Sequence, residues 1–286
     1  TGAIMNTILD PIFIFVFEWG VEGAAWATII GQFANFLITI AYLPRFKNFS
    51  MKKALLCLEG AVVKRLLSLG VSSFINQLAI TLIIIVMNNS LTKYGAQSPY
   101  GQEIPLAALG IVMKVNQILI SVMVGIGVGA QPIVGYNYGA RNWARVKKTY
   151  LTSVVIVTIC CTIGFIMFQF FPQLIINLFG QEDALYNDFA QRCFRIFLMF
   201  CILNGFQTVS SIFFQAIGKP IFAILLSLSR QVLFMLPSLL ILPHIFGLNG
   251  ILFSAPVADF AAFVLASILI IREMKNLTAQ QKLDVQ

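Results

Sequence analysis

Apolar residues come in long unbroken runs along this chain, and polar residues collect in the gaps between runs or form narrow stripes inside them. Seven runs hold about 20 residues each and cross about 30 Å of hydrocarbon as helices, at 1.5 Å per residue. They are Val21 to Leu43, Gly70 to Leu91, Leu106 to Pro132, Tyr150 to Phe171, Ile196 to Ile217, Ile221 to Ile245 and Leu248 to Ile271. An earlier run, Ala3 to Phe17, makes eight; it reaches only about 22 Å and is too short to cross by itself. Thr1 is not an initiator Met, and the first run lacks the charged start and small-residue cleavage site of a signal peptide. The chain therefore reads as cut at its start, within a longer helix.

Composition agrees with a membrane protein: 59% of the 286 residues are hydrophobic and 10% charged, against about 45–50% and about 25% in soluble domains. The net charge of +8 would suit nucleic acid, but its distribution points to membrane topology instead. Fourteen of the 19 basic residues follow the second, fourth, sixth and eighth runs, from Arg45 to Arg65, Arg141 to Lys148, at Lys219, and from Arg272 to Lys282. The opposite side holds Lys93, Arg192 and Arg195 with most of the carboxylates. By the positive-inside rule the basic side is cytoplasmic, which puts both ends of this chain there and makes nucleic acid an unexpected partner. The five cysteines are odd in number, have no metal-ligand spacing, and read as packing residues.

The run boundaries carry an internal echo. Gly20-Val21-Glu22-Gly23 opens the second run after Pro11 and Phe13, and Gly247-Leu248-Asn249-Gly250 opens the eighth after Pro243 and Phe246. The offset, 247 − 20 = 227 residues, spans six runs, as expected of a duplicated six-helix unit whose second copy is complete and whose first is not. Two independent Gly-rich turns are the alternative. Between the copies, residues 44–69 mix Lys and Arg with Leu and Val, as in "MKKALLCLEGAVVKRLLSLG", and read as a cytoplasmic connector with an amphipathic helix on the membrane face. Arg141 to Lys148 is a shorter basic connector, and the tail at 273–286 is polar and expected to fray.

Helical spacing puts Asn6 and Asp10 on one face of the first run, and Thr28, Gln32, Asn35 and Thr39 on one stripe of the second. A carboxylate at membrane depth must be neutral, paired or beside a wet cavity; Pro11 weakens the helix there and leaves a local polar pocket. A turn near the outer surface is the plainer reading of Asp-Pro. The sixth run carries Asn204, Gln207, Ser211 and Gln215; the third Ser73, Gln77 and Thr81 with Asn76 beside them; the fourth Lys114, Gln117 and Ser121. Singly these polar residues suit interhelical hydrogen bonding, whereas together they imply a polar-lined interior. Lys114 is able to snorkel outward, but Arg230, about ten residues from the nearer end of the seventh run, needs a partner or a cavity. Gly125, Gly127 and Gly129 follow no strand and suit helix packing, not a nucleotide. The lone His244, with no clustered Cys, Asp or Glu and no nucleophile–base pair, leaves no metal site and no catalytic residues to expect.

The stretch "GVGAQPIVGYNYGARNWARVKK", with "NTILDPIFIF", "GVEGAAWAT", "FFQAIGKP" and "LSRQVLFMLP", resembles the multidrug and toxic compound extrusion (MATE) family along the whole chain, and looks closest to its MepA-like bacterial branch. The resemblance implies an all-α polytopic membrane protein, a two-lobed helical bundle of which eight of twelve helices are present and the first lobe is incomplete. Residues 1–43 would close the first lobe, 44–69 connect, 70–272 form the six-helix second lobe, and 273–286 make the tail. It also implies secondary active export of amphiphilic, often cationic drugs from a bacterial plasma membrane in exchange for Na⁺ or H⁺, with membrane lipids around it and no cofactor beyond the coupling ion. Asn6, Asp10 and Thr28 match the family's first-lobe cation or proton site by type and spacing, with one carboxylate of that site to be supplied by missing N-terminal helices. The second-lobe carboxylates of other members have no counterpart in the third and sixth runs. The cavity would be lined by Gln32, Asn76, Gln77, Met113, Lys114, Gln117, Gln207, Ser211, Gln215 and Arg230, with aromatic and Met neighbours suited to varied substrates.

Two other functions are weighed against this one. A lipid-linked oligosaccharide flippase or polysaccharide exporter of the same superfamily would need a more cationic cavity, toward which Lys114 and Arg230 are a modest start. A non-transporting membrane scaffold would have no use for costly intramembrane charge at Asp10 and Arg230.

Overall fold

A computed structural model describes residues 2–42, 60–179 and 183–284 and divides into two compact units, Thr1–Ser68 and Leu69–Gln286. No strand occurs among the described residues. In the first unit α1 (Gly2–Pro11) runs into a π-helical segment, Ile12–Val16, and then, through a sharp corner, into α2 (Gly20–Tyr42). Pro11 has no N–H to continue the α-helical ladder, and beyond it the Phe17 amide bonds to the Ile12 carbonyl five residues back, the wider spacing of a π turn. α1 and α2 approach to backbone contact, since a Cβ on Gly31 would lie 2.9 Å from the Gly2 carbonyl oxygen. Small residues at such crossings are how helices associate in lipid, where apolar side chains gain nothing by leaving the hydrocarbon.

The helix α3 (Gly60–Gly95) is continuous from the end of the expected connector into the third run; the rest of that connector, 44–59, lies outside the described residues. In the second unit α4 (Glu103–Gly139) packs on α5 (Trp143–Phe170), α7 (Ala184–Phe197) and α8 (Cys201–Ala216), with the short α6 (Pro172–Asn177) against α7. α9 (Pro220–Leu228), a π-helical segment Ser229–Met235 and α10 (Leu236–Phe246) form one span, Pro220–Phe246, followed by α11 (Leu248–Leu283). α11 crosses the unit along an alanine seam, Ala255, Ala258, Ala262 and Ala266, each at most 1% exposed. The outward stripe of α5, Leu151, Val155, Ile159 and Ile163, is more than half exposed at every position, as a lipid-facing surface requires.

Among the described residues six helices are long and apolar enough to cross a membrane: α2, Phe74–Gly95 of α3, α4, α5, Pro220–Phe246 and α11. α7 and α8, bent by 47° at their junction, are long and apolar enough only as a pair, and Ile4–Val16 is a shorter apolar helix in the place of the first run. The chain is thus an all-α, multi-pass membrane protein. Two expectations need correction. The helix that enters the sixth run starts at Ala184, not Ile196, and breaks before Cys201; α7 buries Phe189, Cys193 and Phe194 on one face and presents polar residues on the other, which hides it from a search for unbroken apolar runs. The segment after Arg272 does not fray: α11 stays helical to Leu283 because Leu277 is fully buried, Glu273 pairs with Lys219 at 2.7 Å, and Trp143 Nε1 donates to Asp284 at 2.7 Å.

The two Gly-x-x-Gly corners prove to be the same device. Gly20 and Gly247 both take left-handed φ, +54° and +57°, which a side chain resists. Three residues on, a Cβ on Gly23 would lie 2.8 Å from the Phe13 carbonyl oxygen, and one on Gly250 would fall on the Leu242 carbonyl. Each corner folds a helix tightly against the one before it.

Candidate functional site

Two polar clusters lie on apolar helices, one in each unit. In the first, α1 and the π segment that follows Pro11 set Asp10 at the point where the helix widens. Asn6, one turn earlier, stands between Asp10 and α2. Its Nδ2 donates to Asp10 Oδ1 at 3.2 Å and to Thr28 Oγ1 at 3.2 Å, while the Thr28 hydroxyl donates to the Ala24 carbonyl at 2.9 Å. The Gly2–Gly31 approach makes this possible, bringing Asn6 against α2 where any larger residue at 31 would hold it off. Three residues that the family resemblance assigned to one site are therefore in one hydrogen-bonded group, whose oxygens on Asp10, Asn6 and Thr28 are of the kind that hold a proton or a hard cation. Gln32, one turn beyond Thr28, is exposed on α2.

In the second unit a cavity of about 520 Å³ opens among α3, α4, α8 and the π segment of the seventh span. Its wall includes Asn76, Met113 and Gln117, the α8 stripe Gln207, Ser211 and Gln215, and Arg230. Gln77 and Lys114 are exposed and lie outside this lining. Part of the polar wall also ties helices together: Gln207 Nε2 donates to the Leu226 carbonyl at 2.7 Å, Ser211 to that of Ala223 at 3.0 Å, and Ser227 to Asn76 Oδ1 at 3.2 Å. Interhelical bonding and a polar interior are thus one construction here, because the helices that bond through these residues also bound the cavity.

Arg230 has the partner its depth demands. Its Nε donates to Asp259 Oδ1 at 2.7 Å, with side-chain exposures of 16% for Arg230 and 4% for Asp259. Sequence reasoning missed Asp259, although the signal was present. The 227-residue offset maps Gln32, in the polar stripe of the second span, onto position 259 of the eighth (32 + 227 = 259). Asn116 and Gln231 also line the cavity without having been singled out; each is sequence neighbour to a residue that was.

The family model for MatE matches residues 73–241, more than half of the chain. The chain belongs to the MatE family. Among relatives, the multidrug export protein MepA of Staphylococcus aureus (strain bovine RF122 / ET3-1) is 26% identical over 276 residues, covering 95% of this chain and 58% of the relative. MepA of Staphylococcus saprophyticus is 25% identical over 288 residues, covering 99% and 61%. The chain thus spans about three fifths of the length of the relatives it matches. A solved outward-facing multidrug resistance MATE family transporter of the MOP superfamily superposes with a TM-score of 0.80 at 22% identity, over 96% of this chain and 61% of that one. At that identity the likeness speaks for the fold, and it is the MATE fold.

Proposed function

We propose that this MatE chain works in a secondary active efflux transporter for amphiphilic, often cationic drugs, in a bacterial plasma membrane, by antiport with Na⁺ or H⁺. The MepA relatives, named as multidrug export proteins, support the export of drugs. The observation that carries the coupling is Asn6 bridging Asp10 and Thr28 beside a proline and a π segment. A proton on Asp10 Oδ1 removes the acceptor for Asn6 Nδ2; Na⁺ there draws the oxygens of Asp10, Asn6 and Thr28 inward instead. Either change acts where the helix ladder already departs from α-geometry, so occupancy biases the direction of α1 and with it the balance between outward-open and inward-open states.

A flippase handling a pyrophosphate would need several cations facing the cavity, whereas among the described residues of the lining Arg230 is the one cation. The experiment is Asp10→Asn in the protein as its own gene encodes it. Gradient-driven dye efflux is expected to be lost while the protein still reaches the membrane. Efflux at the unaltered rate would overturn the site.

A further inference from the structure

The cavity of the second unit has an asymmetric charge. Among the described residues its lining contains many amides and hydroxyls and no carboxylate, and its single ionisable group is Arg230. Asp259 lies behind that arginine, buried to 4% and outside the lining, so the pair presents its guanidinium, not its carboxylate, to the cavity. Among the described contacts Arg230 makes one hydrogen bond, from Nε, leaving the Nη1 and Nη2 donors uncommitted. A guanidinium held from one edge and open at the other is the arrangement that receives a carboxylate through two parallel hydrogen bonds. Ser227, Arg230, Gln231 and Met235 form one stripe of the seventh span along the wall, which supplies neutral hydrogen-bonding and soft apolar surface on either side of the charge.

We propose that this cavity holds a subsite for a single carboxylate group, carried by an anionic or zwitterionic amphiphile, with Arg230 as its anchor and Asp259 as the residue that positions Arg230. The inference rests on the transporter reading and adds to its substrates: the described lining of this cavity holds no carboxylate to pair with a cation, and a compound with a carboxylate gains there what a purely cationic one does not.

The test is equilibrium binding, which needs no ion gradient and is therefore indifferent to the fate of the Asp10 coupling site. The protein is placed in phosphatidylcholine nanodiscs and titrated with dansylglycine and with its methyl ester, which differ in the one charge. The acid is expected to bind about ten-fold or more tightly, the ratio a charge-assisted hydrogen bond confers. Arg230→Gln should abolish the preference, and Asp259→Asn should raise affinity for the acid by freeing the guanidinium. If Arg230→Gln fails to fold because Asp259 is stranded, the double variant Arg230→Gln/Asp259→Asn removes both charges and is read instead. Equal binding of acid and ester by the unaltered protein, or a preference that survives in the double variant, overturns the proposal. Adding phosphatidylglycerol to the discs is expected to leave dansylglycine binding unchanged; displacement by that lipid would overturn the assignment to a soluble carboxylate in favour of a lipid headgroup.

Discussion

Breaking the Arg230–Asp259 pair from either side should have unequal consequences. At a charge separation of about 4 Å and an effective dielectric of about 20, the attraction is about 4 kcal/mol, and removing one member of a buried pair generally costs about 3–5 kcal/mol. Arg230→Met leaves a carboxylate that is 4% exposed, so it should carry that full cost. Asp259→Ala leaves a guanidinium that is 16% exposed and faces a cavity able to hold water, so about 1–3 kcal/mol is expected. The double variant should return to within about 1–2 kcal/mol of the parent, since two neutral groups replace two compensated charges. Reversible unfolding by denaturing detergent, followed by tryptophan fluorescence in mixed micelles, measures all four proteins. Additive single effects, or a cost below about 0.5 kcal/mol for Arg230→Met, would refute the claim that this pair is desolvated and mutually dependent.

The corner glycines predict a matched pair of effects: Gly23→Ala and Gly250→Ala should each destabilise by about 1–3 kcal/mol through collision with a backbone carbonyl, whereas alanine at Gly60, whose Cβ meets nothing within 4 Å, should be tolerated. Gly205→Ala would put a Cβ 2.7 Å from Cys161 Sγ and 2.8 Å from Val157 Cγ1, so it should lower the unfolding midpoint, and Val157→Ala should restore part of the loss. Tyr100, in the turn before α4, donates to Asp188 at 2.9 Å, and burial first, then that hydrogen bond, raises its phenol above the usual 10.0. A raised folded value means that its stabilising contribution is complete below pH 10 and is lost as pH climbs through the folded value. Ultraviolet titration should show a phenolate signal that moves to lower pH in Asp188→Asn; an unchanged titration would remove the tie.

Much of the architecture was legible before any coordinates. Unbroken apolar runs are long-range statements about solvent, since backbone groups in hydrocarbon have to bond within their own helix, and each of the eight runs has a helix in the structure. Helical spacing put Asn6 and Asp10 on one face, whereas Thr28 was joined to them only through the family resemblance; the structure shows the three hydrogen-bonded together. The helix α7 escaped because its period is that of a half-buried surface helix, while a search for spans rewards only uniform hydrophobicity.

By itself, then, the sequence determined a multi-pass helical membrane protein, the corners where its helices turn back, and which faces carry polar groups. These follow from periodicity and from the cost of exposing a backbone to lipid. Only the tertiary structure decided which polar groups meet. Arg230 lies 29 positions from Asp259 and Lys219 lies 54 from Glu273, and nothing local sets their pairing. It was likewise the packing of α11 along its alanine seam that placed Asp259 behind Arg230 and outside the cavity lining. The charge a cavity presents depends on which member of an ion pair is nearer the opening, and that is a property of packing alone.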